Sequence, residues 1–366
     1  MGVPFGERGG ALRGVFDAAC GRLPRFIFGG RVAAEVLPVF HFHDVTPAEL
    51  EPKLRFLAEN GYRTTTADEI AAYVRREIRL DSPRVALCFD DAWTSLWTVA
   101  APLLKRYGLT AITYAIPARI AEASACRPTI EEAGAASDGP PLMTWPELRA
   151  LHTSGIVDVQ CHTESHSMVF CSTAVTGFVT PDYATIPMLN RPQLSPSPTL
   201  RFLEPDELGA PLYEARSRMS DGRRAAVPLD AQARCVAYVA REGGAEFFSR
   251  RPDWKARLRQ LAGNGDDAVV ESEAERDRAI EVELDRGRAI LNERLRTATV
   301  NHICLPWGVS SARTAAVLAR VGYRSAIANR FRGLLAVRPG DDPYWLKRLP
   351  NRYIFHLPGR GRRLWV

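Results

Sequence analysis

No stretch of the 366-residue chain stays apolar for the roughly 18 to 20 residues that a membrane-crossing helix needs, so no bilayer-spanning segment is expected. The first residues offer no signal either. Arg13, Asp17, Arg22 and Arg25 break up the apolar positions, leaving no hydrophobic core for a secretory leader, and a cytoplasmic location is the expectation. The seven cysteines are odd in number, scattered, and include no CxxC pair, which argues against a disulfide framework and against a structural zinc site. Lysine is scarce: Lys53, Lys105, Lys255 and Lys347 are the whole supply, so the 48 basic residues are almost all arginine. Arginine suits bidentate contact with carboxylate or phosphate, but such a ratio equally follows codon usage, and no nucleic-acid partner is expected. A GxSxG elbow and an HExxH helix are both missing, which removes two common hydrolase routes.

What remains is a globular composition, 46% hydrophobic and 25% charged with a net charge of +6. The length suits about two domains, or one α/β barrel of about 250 residues with a long insertion. Residues 1–35 form an N-terminal extension, of which 11–36 reads as a short basic amphipathic stretch, either an end-plug helix or a peripheral membrane contact. From 36 onward apolar strands alternate with helical periodicity. VLPVFHFHDV, RVALCFDD, TAITYAIP and IVDVQCH read as strands, and PAELEPKLRFLAEN, TADEIAAYVRR, TSLWTVAAPLLKRYG and WPELRALHTSG as helices. Thr144 and Glu147 form a capping box, and Gly155 closes that helix. Downstream, a charged helix over 272–295, the strand-turn TVNHICLPWG, the helix ARTAAVLARVGY and the strand SAIAN continue the rhythm, so a parallel α/β architecture is expected. At about 171–267 the pattern breaks into proline- and arginine-rich sequence, too long for a bare loop and read as an insertion with structure of its own.

Two adjacent carboxylates, Asp90 and Asp91, end the buried RVALCF strand, at the edge where parallel α/β folds place their active sites. His162 and His166 follow another strand, in a chain with only seven histidines, and four-residue spacing lets both rings converge on one ion if the segment turns. Two neutral imidazoles and one carboxylate, with positions left for water, are a catalytic rather than a structural ligand set. One aspartate can complete the metal's shell while its neighbour accepts a proton from bound water. The chemistry these residues point to is hydrolysis by an activated water.

FDD at 89–91, HTESH at 162–166 and PWG at 306–308, in that order, resemble the polysaccharide deacetylase (NodB-homology, carbohydrate esterase family four) family, over about residues 36–168 and 270–330. The resemblance implies a distorted, incomplete (β/α) barrel over 36–366, interrupted by the insertion. It also implies metal-dependent removal of an N-acetyl group from an amino sugar in a polysaccharide or glycan precursor. By position, Asp90 resembles the family's general base and Asp91, His162 and His166 its metal ligands, with zinc the expected ion and nickel, cobalt or manganese the alternatives. Thr163 matches the hydroxyl residue after the first ligand histidine, and Pro306, Trp307 and Gly308 match the segment lining the sugar groove. Trp93, Trp145 and Trp307 lie near strand ends, and Trp307 is the expected stacking residue. His356 is the nearest match to the family's late acid for the leaving amine, with His43 and His302 as alternatives. Two departures stand out. Cys304 and Leu305 occupy the place of the family's arginine, so either a different cation holds Asp90 or the site is weaker, and Ala92 replaces the usual glycine of FDDG, a mild change. The lost arginine motivates a rival reading, a carbohydrate-binding protein on a degenerate fold. The basic N-terminus motivates another, a deacylase of a lipid-linked sugar.

Overall fold

The computed structural model describes residues 16, 17, 19–81, 83–132, 139–263, 269–328 and 333–364, so the first part of the N-terminal extension lies outside the described residues. The chain divides into two compact units, one ending at Ser165 and resuming at Glu281, the other containing residues 166–280. The expectation had placed the interruption at about 171–267.

The first unit is built on a parallel sheet. Its strands run in the order Ser325–Ile327, His302–Cys304, Val157–Cys161, Ala111–Ala115, Arg84–Asp91, Val39–Phe42 and Leu349–Pro350, with Arg63–Thr64 paired to the start of Arg84–Asp91. Every neighbouring pair is parallel. The two outer strands do not pair with each other, and a single bridge between Ile327 and Leu346 spans the seam. This is a distorted, incomplete (β/α) barrel. The central strand has no polar residue from Val85 to Phe89, and all five are at most 1% exposed, as a strand covered on both faces requires.

The helices form where their caps begin them. The Thr46 and Thr66 hydroxyls each accept the backbone N–H three residues on while their own N–H donates to the matching glutamate, Thr144 N–H donates to Glu147, and Gly155 closes its helix in left-handed backbone. The expected helix after Thr94 is instead a wide π-turn, Leu96–Ala100, followed by Ala101–Arg106. Pro102 explains it, because a proline without N–H cannot continue the regular ladder and a widened turn absorbs the defect.

The second unit contains a four-stranded sheet in the order Ala215–Ser217, Met168–Phe170, Pro192–Ser195, Arg201–Phe202, and a two-stranded pair of Gly177–Phe178 with Pro211–Leu212. The Leu229–Arg241 and Trp254–Ala262 helices bury Cys235, Val239 and Leu258 around Phe178 and Phe247. All seven cysteines are free thiols.

Candidate active site

Strand register assembles the site. Asp91 lies beside Ala115 and Ala115 beside Cys161, so the strand carrying FDD and the strand carrying HTESH end in one row. The N–H of His162 then bonds Ala115 O at 2.8 Å and continues that row one residue further. Asp91, His162 and His166 are all buried and bring one ligand atom each to within 4.8 Å of one another, His166 being the residue at which the chain passes into the other unit.

Hydrogen bonds aim these groups. His162 Nδ1 stands 2.6 Å from Cys304 O; a carbonyl can only accept, so Nδ1 carries the proton and Nε2 turns its lone pair toward Asp91 Oδ1, 3.4 Å away. The other Asp91 oxygen accepts the indole N–H of Trp93 at 2.9 Å. Ligand atoms about 2.0 to 2.2 Å from a tetrahedral ion stand about 3.3 to 3.6 Å apart, so the Asp91–His162 spacing fits a shared divalent ion. Burial alone would lower the His162 pKa, yet Cys304, Asp91 and Asp90 push it well above the usual histidine value. A divalent ion at Nε2 would supply the positive charge that these neighbours favour, in place of a proton. Asp90, His162 and Cys304 also converge, but both Asp90 oxygens are engaged elsewhere.

Asp90 is held by a residue that the sequence reading did not select. Arg348, just before the edge strand Leu349–Pro350, donates Nη1 to Asp90 Oδ1 at 2.6 Å and Nη2 to Oδ2, a bidentate pair with Asp90 2% exposed. Arg348 is thus the cation missing at Cys304 and Leu305. Burial would raise the Asp90 pKa, but the charge and hydrogen bonds of Arg348, with His162 and His43 adding, hold it below the usual carboxylate range. His43 Nε2 lies 3.6 Å from Asp90 Oδ2 and is about half exposed. His41 packs edge-on against His43 with ring centroids 5.7 Å apart. Burial first, then the Arg348 charge, pushes its pKa down to about 3, so it stays neutral.

The turn between His162 and His166 is moulded on the Glu273–Leu295 helix. Glu283 accepts both the N–H and the hydroxyl of Ser165 at 2.7 Å, Glu283 O accepts Glu164 N at 3.1 Å, and Arg286 Nε donates to Glu164 Oε1 at 2.9 Å. One turn further, a side chain at Gly287 would meet Glu164 N at 2.8 Å and Thr163 C at 2.9 Å. The glycine in the middle of this helix lets it approach the turn. Among the described residues seven non-glycine positions adopt positive φ, and four of them, Asp91, Thr163, His166 and Trp307, fall in the three motifs, with Ala92 directly after the first. Each costs about 1 to 3 kcal/mol, a concentration of strain found where function fixes the backbone. Ala92, expected as a mild change from glycine, carries that strain at φ 62°.

Other expected residues sit differently. Pro306, Trp307 and Gly308 form a buried turn after the His302–Cys304 strand, and Trp307, at 5% exposed, offers little face for stacking. Trp145 is buried beneath the Arg294 guanidinium, 4.3 Å from its centroid. Thr163 is buried in the turn beside the ligands. His302 is committed to Ser325 Oγ and Asp68 Oδ1. His356 is buried with Nδ1 2.8 Å from Ile27 O and its ring edge-on to Tyr353, and no described contact joins it to Asp90. On geometry His43, not His356, stands beside the base candidate.

A family model described as polysaccharide deacetylase matches residues 77–184, spanning both FDD and HTESH. Residues 77–184 carry the polysaccharide deacetylase pattern. Within the same kind, YxkH of Bacillus subtilis (strain 168), whose own assignment as a polysaccharide deacetylase is provisional, is 28% identical over 88 residues, 22% of this chain. The match spans about a third, 32%, of that protein's length. The deacetylase domain of BpsB from Bordetella bronchiseptica superposes with a TM-score of 0.52 at 16% identity, covering 86% of this chain and 96% of that domain. IcaB from Ammonifex degensii gives 0.47 at 17% identity over 86% of this chain and 91% of its own. The BpsB likeness extends the shared fold beyond the matched segment, to 86% of this chain. Arg348, Glu283 and Gly287 are the residues that motif reading passed over, while Trp93, considered there with the other strand-end tryptophans, donates to Asp91. Only Gly287 left a signal, as a glycine inside an otherwise helical pattern.

Proposed function

We propose that the chain is a metal-dependent amidohydrolase that removes the N-acetyl group from an amino sugar of a polysaccharide or glycan precursor. The observation that carries this reading is the pairing of two unlike carboxylates at one strand end, Asp91 facing His162 and Asp90 clamped by Arg348. Asp91, His162 and His166 would hold the ion, with zinc the first choice for two imidazoles and a carboxylate. When bound, such an ion polarises the amide carbonyl and makes a coordinated water acidic. Asp90, ionised at any physiological pH, accepts the proton of the attacking water. As a weak base it does not retain that proton, and His43, beside it and open to solvent, is placed to deliver one to the departing amine. The amide C–N bond breaks, water supplies the new C–O bond and both protons, and the products are acetate and a free amine. Arg348 supplies the cation whose loss from the third motif motivated the binding-only reading.

The test is metal content measured alongside acetate release from N-acetylated oligosaccharides. Asp91→Ala and His162→Ala are expected to lose the metal, and Asp90→Asn to keep it and lose turnover. Full turnover in a metal-loaded Asp90→Asn preparation would overturn the base assignment, and a wild type that retains no metal would overturn the ligand assignment.

A further inference from the structure

The other edge of the barrel unit carries a feature that hydrolysis does not use. The short turn Arg25–Phe28 drives Phe26 and Ile27 inward and leaves Phe28 65% exposed. It is locked to the C-terminal segment by Arg362, whose guanidinium donates to the carbonyls of Phe26, Gly29 and Gly30 at 2.7 to 2.8 Å and to that of His356 at 3.0 Å. The His356 ring, which donates to Ile27 O, is part of the same lock. Leu364 is 38% exposed and sits close to Gly29, where an added side chain would meet it at 3.3 Å.

Four exposed arginines belong to these two segments: Arg25, Arg31, Arg360 and Arg363. Elsewhere some exposed arginines pair with acids, as Arg106 does with Glu51, Arg234 with Asp230 and Arg320 with Glu281, while among the described residues Arg63, Arg79, Arg223 and Arg259 are exposed singly with no acidic partner. Among the described residues none of Arg25, Arg31, Arg360 and Arg363 has an acidic partner, and Arg363 instead covers the Phe355 ring at 4.9 Å. The sequence has no acid from residue 18 to 34 or from 343 to 366. Beside Arg31 opens a cavity of about 340 Å³ walled by Val36, Leu37, Tyr62 and Tyr73, with Asp81 and with Arg84, whose Nη1 pairs with Glu69. Leu37 and Arg84 lie at the opposite ends of the strands from His41 and Asp90, so this face is separate from the candidate active site.

We propose that this face docks on an anionic lipid bilayer. Phe28 and Leu364 enter the headgroup boundary while Arg25, Arg31, Arg360 and Arg363 pair with lipid phosphates. Two exposed apolar side chains on segments that carry four exposed arginines and no acid match a surface that is charged outside and apolar just beneath. It does not match the product of the proposed reaction, a polyamine that these arginines would repel; that clause alone rests on the functional reading.

The test floats the full chain with vesicles of phosphatidylcholine, with and without phosphatidylglycerol. Binding is expected only with phosphatidylglycerol and weakens with added salt. Each of Arg31→Ala and Arg363→Ala lowers partitioning about fivefold, and Phe28→Ser/Leu364→Ser abolishes it, with an unchanged circular dichroism spectrum and unchanged acetate release from soluble substrate. No binding by the wild type, equal binding to pure phosphatidylcholine, or binding untouched by these substitutions overturns the proposal. So does a concentration-dependent dimer that Phe28→Ser dissolves, which would assign the face to self-association. Because partitioning is read without catalysis, its failure leaves the hydrolase reading standing.

Discussion

Replacing Arg348 by methionine removes the only bidentate partner of a carboxylate that is 2% exposed. Methionine keeps much of the volume, so the change isolates the lost charge. Breaking a buried ion pair from one side costs about 3 to 5 kcal/mol, and two hydrogen bonds to a charged group, at about 1.5 to 3 kcal/mol each, bracket the same figure. The expected outcome at about pH 7 is a barrel destabilised by that amount, read as a lower urea midpoint by tryptophan fluorescence. The pH dependence is the sharper signature. In the wild type the Asp90 pKa is depressed, so its contribution is fully present above the unfolded value of about 3.9 and is lost only as pH falls through the lower folded value. In Arg348→Met burial dominates and lifts the folded pKa above the unfolded one. The variant's deficit is then greatest at neutral pH and shrinks as pH falls toward about 4. The double variant Asp90→Asn/Arg348→Met is expected to be more stable than Arg348→Met alone, because no uncompensated charge remains. Equal stability of Arg348→Met and wild type at about pH 7, or a deficit that does not change with pH, would refute the reasoning.

Gly287→Ala reverses the usual rule, under which alanine in a helix interior gains about 1 kcal/mol over glycine. Here the added methyl meets backbone of the histidine turn at 2.8 to 2.9 Å, so zinc affinity measured by chelator competition is expected to fall at least tenfold; unchanged affinity would show that the turn yields. Arg127→Met strands Glu147, which is fully buried and accepts from Arg127 Nε and Nη2 at 2.7 Å and from Thr144 N at 2.8 Å. Burial raises the Glu147 pKa, but these bonds outweigh it and hold it low, so in the wild type their stabilisation persists above the unfolded pKa and disappears only in stronger acid. A loss of about 3 to 5 kcal/mol at neutral pH is expected in the variant, and a melting temperature equal to wild type would count against the pair.

The parts of the site that could be read in sequence are those that a single strand end delivers. FDD and HTESH each follow an apolar run of strand length, and Thr144, Glu147 and Gly155 mark a helix from three local residues. Such signals depend on neighbours along the chain, and the structure finds these elements where local chemistry sets them. The clamp on Asp90 has no such signal. Arg348 is 258 residues away and reaches the carboxylate only because the Leu349–Pro350 strand pairs with Val39–Phe42 at the barrel's edge. His356 illustrates the converse, a histidine near the right place in the order of motifs whose ring nitrogen is taken by Ile27 O.

The sequence alone determined the alternation of strands and helices, the edge of the sheet at which chemistry belongs and the identity of the ligand candidates, since each follows from periodicity, caps and residue type. Tertiary structure decided which cation orients Asp90, which histidine stands beside it, and how Glu283 and Gly287 shape the turn between the ligands. Those contacts join residues far apart in the chain, Arg348 with Asp90 and Glu283 with Ser165 by more than 100 positions, and only the sheet's register and the packing of one helix bring them together.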